Sequence, residues 1–270
     1  MDNRPIGVFD SGLGGLTAVK ELMRLLPNEH ILYFGDTGRV PYGTRGRDII
    51  RHYAKQDMNF LMQHDVKAVL AACGTVSSVA SDIGGSLSVP YIDVLRPTAR
   101  AAVNQTKNGR IGIIGTSATI ASGSYRREIH KIDPNIEVFE QACPLFVPLV
   151  ENAFVAPQDE VTRLVAQRYL AAIREKGVDT LILGCTHYPI ISPTIRSVMG
   201  RGVTLINSGR EAAAGCLEIL KENGLLCGAD SRAEYQYYVS DDTDSFFHVA
   251  ELFLGQSVQG KVERIDIERY

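Results

Sequence analysis

Four short apolar segments near the start of the chain recur in the same order further along it. The members of each pair lie 105 to 114 residues apart. The pairs are IGVFDS (6–11) with IGIIGT (111–116), ILYFGD (31–36) with IEVFEQ (136–141), VKAVLAAC (66–73) with VDTLILGC (178–185), and VPYIDV (89–94) with VTLINS (203–208). Each has the length and apolar character of a buried strand, and four matches in register indicate a structural repeat.

Helical patterns separate these segments. Residues 159–176 carry apolar side chains at helical spacing, and Gly177 follows as a stop signal. A second helical stripe runs through residues 13–26 and ends at Pro27. The first stripe consists of Val161, Leu164, Val165, Tyr169 and Ile173, and the second of Leu16, Val19, Met23 and Leu26. Short buried strands that alternate with helices predict βαβ units and parallel sheets.

The repeat predicts an α/β fold with two similar doubly wound parallel-sheet lobes. We expect a pseudo-twofold axis to relate the lobes and the active site to lie in the cleft between them. Four matched strands in each lobe place the break near residue 95. The first lobe should therefore comprise residues 1–95 and 209–270, and the second residues 96–208. The C-terminal segments YQYYVSDD and KVERIDIERY are predicted as edge strands.

Composition narrows the class of function. Of the 270 residues, 45% are apolar and 22% charged, and a net charge of −3 offers no basic footprint for nucleic acid. No signal peptide is recognisable, and no apolar run reaches the roughly 18 residues of a membrane span. The five cysteines form neither a CxxC pair nor a paired metal spacing. We expect a cytoplasmic protein with reduced thiols and no metal site.

Two of the cysteines, Cys73 and Cys185, stand at the ends of matched segments. Ligands of such sheets bind beyond the carboxyl ends of the strands, so facing lobes would bring both thiols to one cleft. One thiolate could then remove a proton from a carbon atom while the other thiol delivers one from behind. The pKa of free cysteine is about 8.5, so a modest shift of the two thiol pKa values is enough to keep one cysteine ionised and the other protonated. A single cysteine in this position is more often a small buried hydrophobe, but the matched strand ends favour a two-base reaction.

Each of these cysteines has a candidate helper. Asp10 ends the first strand of the lobe that carries Cys73, and His187 lies two residues after Cys185. A carboxylate and an imidazole can orient a proton or adjust the ionisation of a thiol. Taken alone, Asp10 and Ser11 would also suit a helix cap, and His187 a structural loop.

The segment GLGGL at 12–16 is not a phosphate-binding loop. Thr17 stands where GxGxxG requires its third glycine, and no GK[ST] follows. We interpret the segment as a tight turn that lets substrate approach the backbone.

Longer strings of the chain resemble glutamate racemase. They are FDSGLGGLT, YFGDTGRVPYG, IGTSATIASGSY, CPLFVPLVE and LILGCTHYP, which together span about residues 6–210. The resemblance implies two α/β lobes and the racemisation of L-glutamate to D-glutamate without a cofactor, with Cys73 and Cys185 as the bases. It also implies a bacterial cytoplasm, a role in peptidoglycan synthesis and a homodimer. The matching positions that hold substrate or assist the cysteines are Asp10, Ser11, Tyr42, Gly43, Thr75, Thr186 and His187. Gly74 stands at a further substrate-binding position, and Glu151 lies in a further string of the family.

Gly74 departs from the family pattern. The family usually reads ACNT where this chain reads ACGT, and the asparagine amide ordinarily contacts the substrate. A hydrogen bond to a charged group contributes about 1.5–3 kcal/mol, so we expect the glycine to weaken activity and a restored asparagine to raise kcat/KM. Asn207, where the family more often has aspartate, is a milder departure.

Two other functions are compatible with these residues. The chain could be a related racemase that acts on aspartate or another acidic substrate, which α-hydrogen exchange over a panel of acids would reveal. It could instead be a glutamate-binding regulatory protein, which would bind glutamate without exchanging the α-proton. Retention of both thiols together with Asp10 and His187 favours the enzyme.

Overall fold

Two parallel sheets flanked by helices form the protein. The computed structural model describes residues 1–229, 231–258 and 260–270, except for the side chains of residues 245 and 248. The strands are β1 Ile6–Asp10, β2 Ile31–Gly35, β3 Ala68–Ala71, β4 Tyr91–Asp93, β5 Arg110–Gly115, β6 Glu137–Ala142, β7 Thr180–Leu183, β8 Thr204–Asn207, β9 Tyr235–Val239 and β10 Lys261–Arg264.

The helices lie between and after these strands. They are α1 Leu16–Leu25, α2 Arg47–Met62, α3 Gly74–Val79, α4 Leu95–Gln105, α5 Ser117–Ser122, α6 Ser124–Ile132, α7 Phe146–Glu151, α8 Glu160–Glu175, α9 Ser192–Met199, α10 Ser208–Glu222 and α11 Thr243–Leu254. Short 3-10 turns include Thr37–Arg39, Tyr42–Thr44 and Tyr188–Ile191. Within the described residues, no helix combines the length and apolar character that crossing a bilayer requires.

The strand order confirms the α/β fold with two similar lobes. The first sheet has the order β10-β9-β2-β1-β3-β4 and the second β6-β5-β7-β8, with every described pair parallel. Each of the four repeated segments forms a strand, and the order β2-β1-β3-β4 is repeated in β6-β5-β7-β8. We call the elements around the first sheet the first lobe and those around the second sheet the second lobe.

The C-terminal strands return to the first sheet, but only one of them is an edge strand. β9 pairs with β2 on one side and with β10 on the other, so β10 forms the edge. The prediction of an edge position was therefore wrong for β9, whose residues Tyr237 and Val239 are buried. The division of the chain at residues 95 and 208 stays a prediction, although the strands before and after each point lie in different sheets.

The buried face of α8 differs from the apolar stripe that the sequence predicts. Val161 and Leu164 are 49% and 52% exposed, whereas Ala166 and Leu170 are fully buried. The buried positions Thr162, Ala166, Leu170 and Ile173 also follow helical spacing, rotated from the predicted stripe. The buried face thus pairs two small residues, Thr162 and Ala166, with the aliphatic residues Leu170 and Ile173, while Val161 and Leu164 remain on the surface.

Both candidate cysteines stand just beyond equivalent strands. Cys73 follows β3 by two residues and forms the N-cap position of α3, and Cys185 follows β7 by two residues. β3 pairs with β1 and β7 pairs with β5, so each thiol follows a strand that neighbours the first strand of its lobe. The repeat therefore places the two thiols at corresponding carboxyl edges.

Asn207 caps the helix that follows the second sheet. Its Oδ1 accepts hydrogen bonds from the backbone N–H groups of Gly209 (3.0 Å) and Arg210 (3.2 Å) at the start of α10. Asparagine and aspartate cap helices about equally well, so this departure from the family pattern leaves the local structure satisfied.

Candidate active site

A cavity of about 290 Å³ lies between the two lobes, and both cysteines line it. Small-ligand pockets usually measure roughly 300–1,000 Å³, so this one suits a small molecule. Nine of the ten site residues predicted from the sequence line the cavity. They are Ser11, Tyr42, Gly43, Cys73, Gly74, Thr75, Cys185, Thr186 and His187.

Asp10 is the predicted site residue that does not line the cavity. It is fully buried beneath Ser11, and its Oδ2 accepts a hydrogen bond of 3.1 Å from the backbone N–H of Gly12. Burial raises the pKa of the Asp10 carboxyl, and the nearby positive charge of His187 opposes this shift. Asp10 therefore lies behind the cavity wall, where it holds the turn that follows β1.

The Cys73 thiol has an anionic neighbour. It is almost fully buried, and its Sγ donates a hydrogen bond to the Ser11 Oγ at 3.4 Å. Burial raises the pKa of Cys73 to about 12, and the negative charge of Asp10 contributes to the rise. The protonated thiol is thus the favoured form of Cys73 when no ligand is bound.

The Cys185 thiol is the first member of a chain of polar groups. Its Sγ lies 3.8 Å from the Nδ1 of His187, and the Nε2 of His187 lies 3.0 Å from the Glu151 Oε1. Burial opposes charging of His187, but hydrogen bonds with Cys185 and Glu151 outweigh it and raise the pKa of His187 to about 10. His187 is therefore protonated at neutral pH, and it can exchange a proton with the neighbouring sulfur.

The GLGGL turn serves contact between the lobes. A β-carbon at Gly14 would lie 2.2 Å from the Thr186 Oγ1 and 2.6 Å from the His187 ring, and Thr17 donates a hydrogen bond of 3.1 Å to the Thr186 carbonyl. At Gly14 the turn is thus filled by side chains of the second lobe, whereas Gly12 of the same turn lines the cavity, so the approach of substrate to its backbone stays a prediction.

Tyr42 directs its hydroxyl away from the cavity. The hydroxyl contacts Asp36 and lies 3.2 Å from the Asp57 Oδ2, and all three side chains are buried. Burial raises the pKa of Asp57 well above its usual range, and the charge of Asp36 adds to the rise. A protonated Asp57 can share hydrogen bonding with the tyrosine, and the Arg39 guanidinium contacts both carboxyl groups. This network fixes the loop that carries Tyr42 and Gly43.

Apart from Glu151, sequence reasoning missed the contribution of α7 and of the residues after β5 to the cavity wall. Thr116 and Ser117 follow β5, and Thr116 shares a hydrogen bond of 3.0 Å with Thr75 of the other lobe. The repeat offset that pairs IGVFDS with IGIIGT also pairs Ser11 with Thr116, so the same rule could have found it. The remaining wall residues are Gly12, Val40, Pro41, Thr44, Pro144, Val147, Pro148 and Glu151.

Comparison with known proteins identifies the family. The model of the Asp/Glu/Hydantoin racemase family matches residues 16–216. Glutamate racemase of Chlorobaculum tepidum is 47% identical over 256 residues, covering 93% of this chain and 92% of that protein. The chain belongs to the glutamate racemase family. Glutamate racemase of Geobacter metallireducens is 42% identical over 98% of this chain and 97% of its own length.

A solved glutamate racemase shares the whole fold. The crystal structure of the Francisella tularensis enzyme in complex with D-glutamate is 43% identical and superposes with a TM-score of 0.92, covering 100% of both chains. The resemblance to glutamate racemase noted in the sequence is therefore confirmed at the level of family and fold.

Proposed function

We propose that the protein interconverts L- and D-glutamate without a cofactor, with Cys73 and Cys185 as the two bases. The observation that carries the proposal is that one cavity is lined by two thiols from different lobes. Each thiol stands at the corresponding strand end of its lobe. Inversion at the α-carbon requires this: one sulfur takes the proton and the other returns a proton on the opposite face.

The reaction balances with one thiolate and one thiol. The thiolate removes the α-proton of glutamate and becomes a thiol, while the second thiol protonates the carbanion and becomes a thiolate. An α-proton is a poor acid, and each ten pKa units of mismatch with its base cost about 14 kcal/mol. Preorganised hydrogen-bond donors in the cavity must offset much of that cost.

The charged groups behind the thiols support the proton transfers. His187 can pass a proton to or from Cys185, and Glu151 holds the imidazole. Asp10, behind the wall of the cavity, is proposed to orient the Cys73 proton and to act through its charge on the ammonium group of the substrate. That ammonium would itself favour the thiolate of Cys73 by adding a positive charge near it. Ser11, Tyr42, Gly43, Gly74, Thr75 and Thr186 complete the proposed contacts with substrate, and Thr116 joins them as a wall residue.

Glutamate is the substrate that the comparisons favour. Proteins similar to this chain over more than nine-tenths of their length are named glutamate racemases, and the Francisella protein was solved with D-glutamate. A related acidic substrate such as aspartate is the alternative. A panel of amino acids in deuterated water would separate the two by the rate of α-hydrogen exchange.

Substitution of each cysteine tests the two-base assignment. Cys73→Ser and Cys185→Ser should each lower racemisation, followed by circular dichroism from either enantiomer, by about 1,000-fold or more, since each removes a group that moves a proton. Cys143→Ser is the matched control, because Cys143 is buried in the second lobe and does not line the cavity. Full activity of either of the first two variants would refute the assignment. Glutamate binding without α-proton exchange in the wild-type protein would favour a regulatory role.

The cellular setting follows from the reaction. D-glutamate is a component of bacterial peptidoglycan. We therefore propose that the enzyme acts in the bacterial cytoplasm, where it supplies a precursor of the cell wall. A homodimer is also proposed, and sedimentation of the purified protein would test it. Four apolar side chains that are 41% to 52% exposed lie on or beside α7 and α8 and supply a candidate surface: Leu145, Phe154, Val161 and Leu164.

A further inference from the structure

Glycines of the first lobe touch the second lobe on several sides of the cavity. A β-carbon at Gly14 would meet the Thr186 side chain at 2.2 Å, and one at Gly43 would meet the Thr116 side chain at 2.8 Å. Such neighbours are side chains that can adjust their rotamers in part. Gly74 makes a different contact, because its neighbour in the second lobe is main chain.

The contact of Gly74 joins the backbones beside both thiols. Gly74 directly follows Cys73, and Gly184 directly precedes Cys185. A β-carbon at Gly74 would lie 2.3 Å from the Gly184 carbonyl oxygen, 3.2 Å from its carbonyl carbon and 3.7 Å from the Cys185 Cα. The N–H of Gly184 donates a hydrogen bond of 2.8 Å to the Ile114 carbonyl, which holds this segment on β5. This hydrogen bond anchors the residue whose carbonyl oxygen faces Gly74.

We propose that the missing side chain at residue 74 sets the distance between the lobes at the two thiols, which makes Gly74 a positioning residue for racemisation. This inference rests on the proposed function, because the thiol separation matters only if both sulfurs act on one carbon. Gly74 acts through the placement of Cys73 and Cys185. This effect is steric and does not depend on any hydrogen bond of residue 74.

Any side chain at residue 74 must push the lobes apart. An ordinary van der Waals contact begins near 3.4 Å, so a β-carbon at 2.3 Å calls for a displacement of about 1 Å. Misplacement of catalytic groups by about 1 Å can lower a rate about 100-fold. The asparagine that is usual in the family would carry such a β-carbon. The structure therefore opposes the expectation that restoring asparagine raises kcat/KM in this chain.

Three variants of the full-length protein test the inference. Gly74→Ala adds the β-carbon alone, and Gly74→Asn adds it together with an amide. Gly85→Ala is the matched control, since it is the same chemical change in the first lobe and its β-carbon would meet nothing within 4 Å. Steady-state racemisation gives kcat and KM, and thermal unfolding reports the stability of each variant.

A reaction with dibromobimane, which bridges two thiols a short distance apart, measures the spacing without any turnover. Peptide mapping identifies the Cys73–Cys185 product. We expect Gly74→Ala to lower kcat at least tenfold with a smaller change in KM, and to slow bridging at least threefold, while the control matches the wild-type protein. Gly74→Asn should behave like Gly74→Ala.

Several results would overturn the inference. They are a kcat of Gly74→Ala within twofold of wild type, unchanged bridging, or a higher kcat/KM for Gly74→Asn. Failure of Gly74→Ala to fold would also contradict it, because displacement between the lobes leaves each lobe intact. If the wild-type protein does not act on glutamate, the proposed function fails, whereas the bridging comparison still reports whether residue 74 sets the spacing.

Discussion

The two halves of the active site share their geometry and differ in their charges. Cys73 and Cys185 stand at matching strand ends, but Cys73 has the carboxyl group of Asp10 behind it and Cys185 has the imidazole of His187. The repeat offsets pair Asp10 with Gly115 and Thr75 with His187, so neither helper has a counterpart in the other half. The repeated fold thus supplies the positions of the two proposed bases, and residues that differ between the halves give each thiol its own electrostatic setting.

That difference gives each thiol a different protonation partner. Burial raises the pKa of Cys73, and the negative charge of Asp10 beside the thiol raises it further, so both favour the neutral thiol. A protonated imidazole beside Cys185 places a positive charge and a proton donor near the sulfur. The asymmetry therefore provides a physical reason for the two thiols to differ in protonation state.

Replacement of Asp10 should produce the largest change in this comparison. We expect Asp10→Asn to lower kcat/KM by about 100-fold or more, because a positioned acid–base group contributes about 100- to 10,000-fold. The same variant should speed alkylation of Cys73 by iodoacetamide, since loss of the negative charge lowers the pKa of the thiol. Circular dichroism assays and peptide mass spectrometry measure the two effects.

A buried carboxyl group elsewhere in the first lobe provides the control for Asp10. Asp93 ends β4 and accepts a hydrogen bond from the Arg96 N–H, and asparagine can keep that role. Asp93→Asn should leave both kcat/KM and Cys73 alkylation near wild type. Equal acceleration of Cys73 and Cys185 in Asp10→Asn would indicate a general loosening of the cavity and contradict an electrostatic role.

Glu151 should have a smaller effect on activity and a measurable effect on the pH dependence of stability. We expect Glu151→Gln to lower kcat/KM about tenfold, in line with the loss of a charged hydrogen-bond partner worth about 1.5 kcal/mol. The pKa of His187 is about 10 in the folded protein, above the value of about 6.5 for an unfolded chain. Proton binding therefore stabilises the fold fully below about pH 6.5, and this contribution is lost as pH rises through 10.

Urea unfolding at a series of pH values measures this linkage. The decline in the free energy of unfolding between pH 6.5 and 10 should be shallower in Glu151→Gln than in the wild-type protein. Glu160→Gln is the control, because Glu160 is an exposed carboxylate at the start of α8 that lies away from His187. Identical pH profiles for wild type and Glu151→Gln would show that Glu151 does not hold the proton on His187.

The sequence predicted the parts of this asymmetry that lie on strands. The positions of Cys73, Cys185 and Asp10 at strand ends could be predicted because buried strands have a short apolar signature, and the repeat reinforces it. His187 was found because it lies two residues after Cys185 in the sequence, whereas partners that are distant in the sequence were not predicted. Asp57 lies in the middle of α2, and only the folded chain brings it to Tyr42.

The apolar stripe of α8 and the glycine contacts were hidden for a related reason. Periodicity marks two overlapping faces on α8, and only packing decides which one is buried. Gly74 stands out in the sequence as a missing asparagine, whereas its contact with Gly184 depends on how the two lobes meet. Arrangement between the lobes has no local signature in the chain.

The smallest expected effect concerns the hydrogen bond that links the two halves. Thr75 of the first lobe and Thr116 of the second share a hydrogen bond of 3.0 Å at the cavity wall. A neutral hydrogen bond contributes about 0.5–1.5 kcal/mol, so Thr116→Val should lower kcat/KM about three- to tenfold. Thr116 also accepts a hydrogen bond from the Thr119 N–H as the cap of α5, and Thr116→Ser is the control because it keeps both interactions.

A double-mutant cycle with Thr75→Val isolates the link between the lobes. If the hydrogen bond acts as a unit, Thr75→Val and Thr116→Val together should cost less than the sum of their separate effects, with a coupling energy of about 0.5–1.5 kcal/mol. Loss of the α5 cap results from the Thr116 substitution alone. It is therefore the same in the single and double variants and cancels from the coupling energy. Additive effects on kcat/KM would mean that the two halves are joined by the glycine contacts rather than by this hydrogen bond.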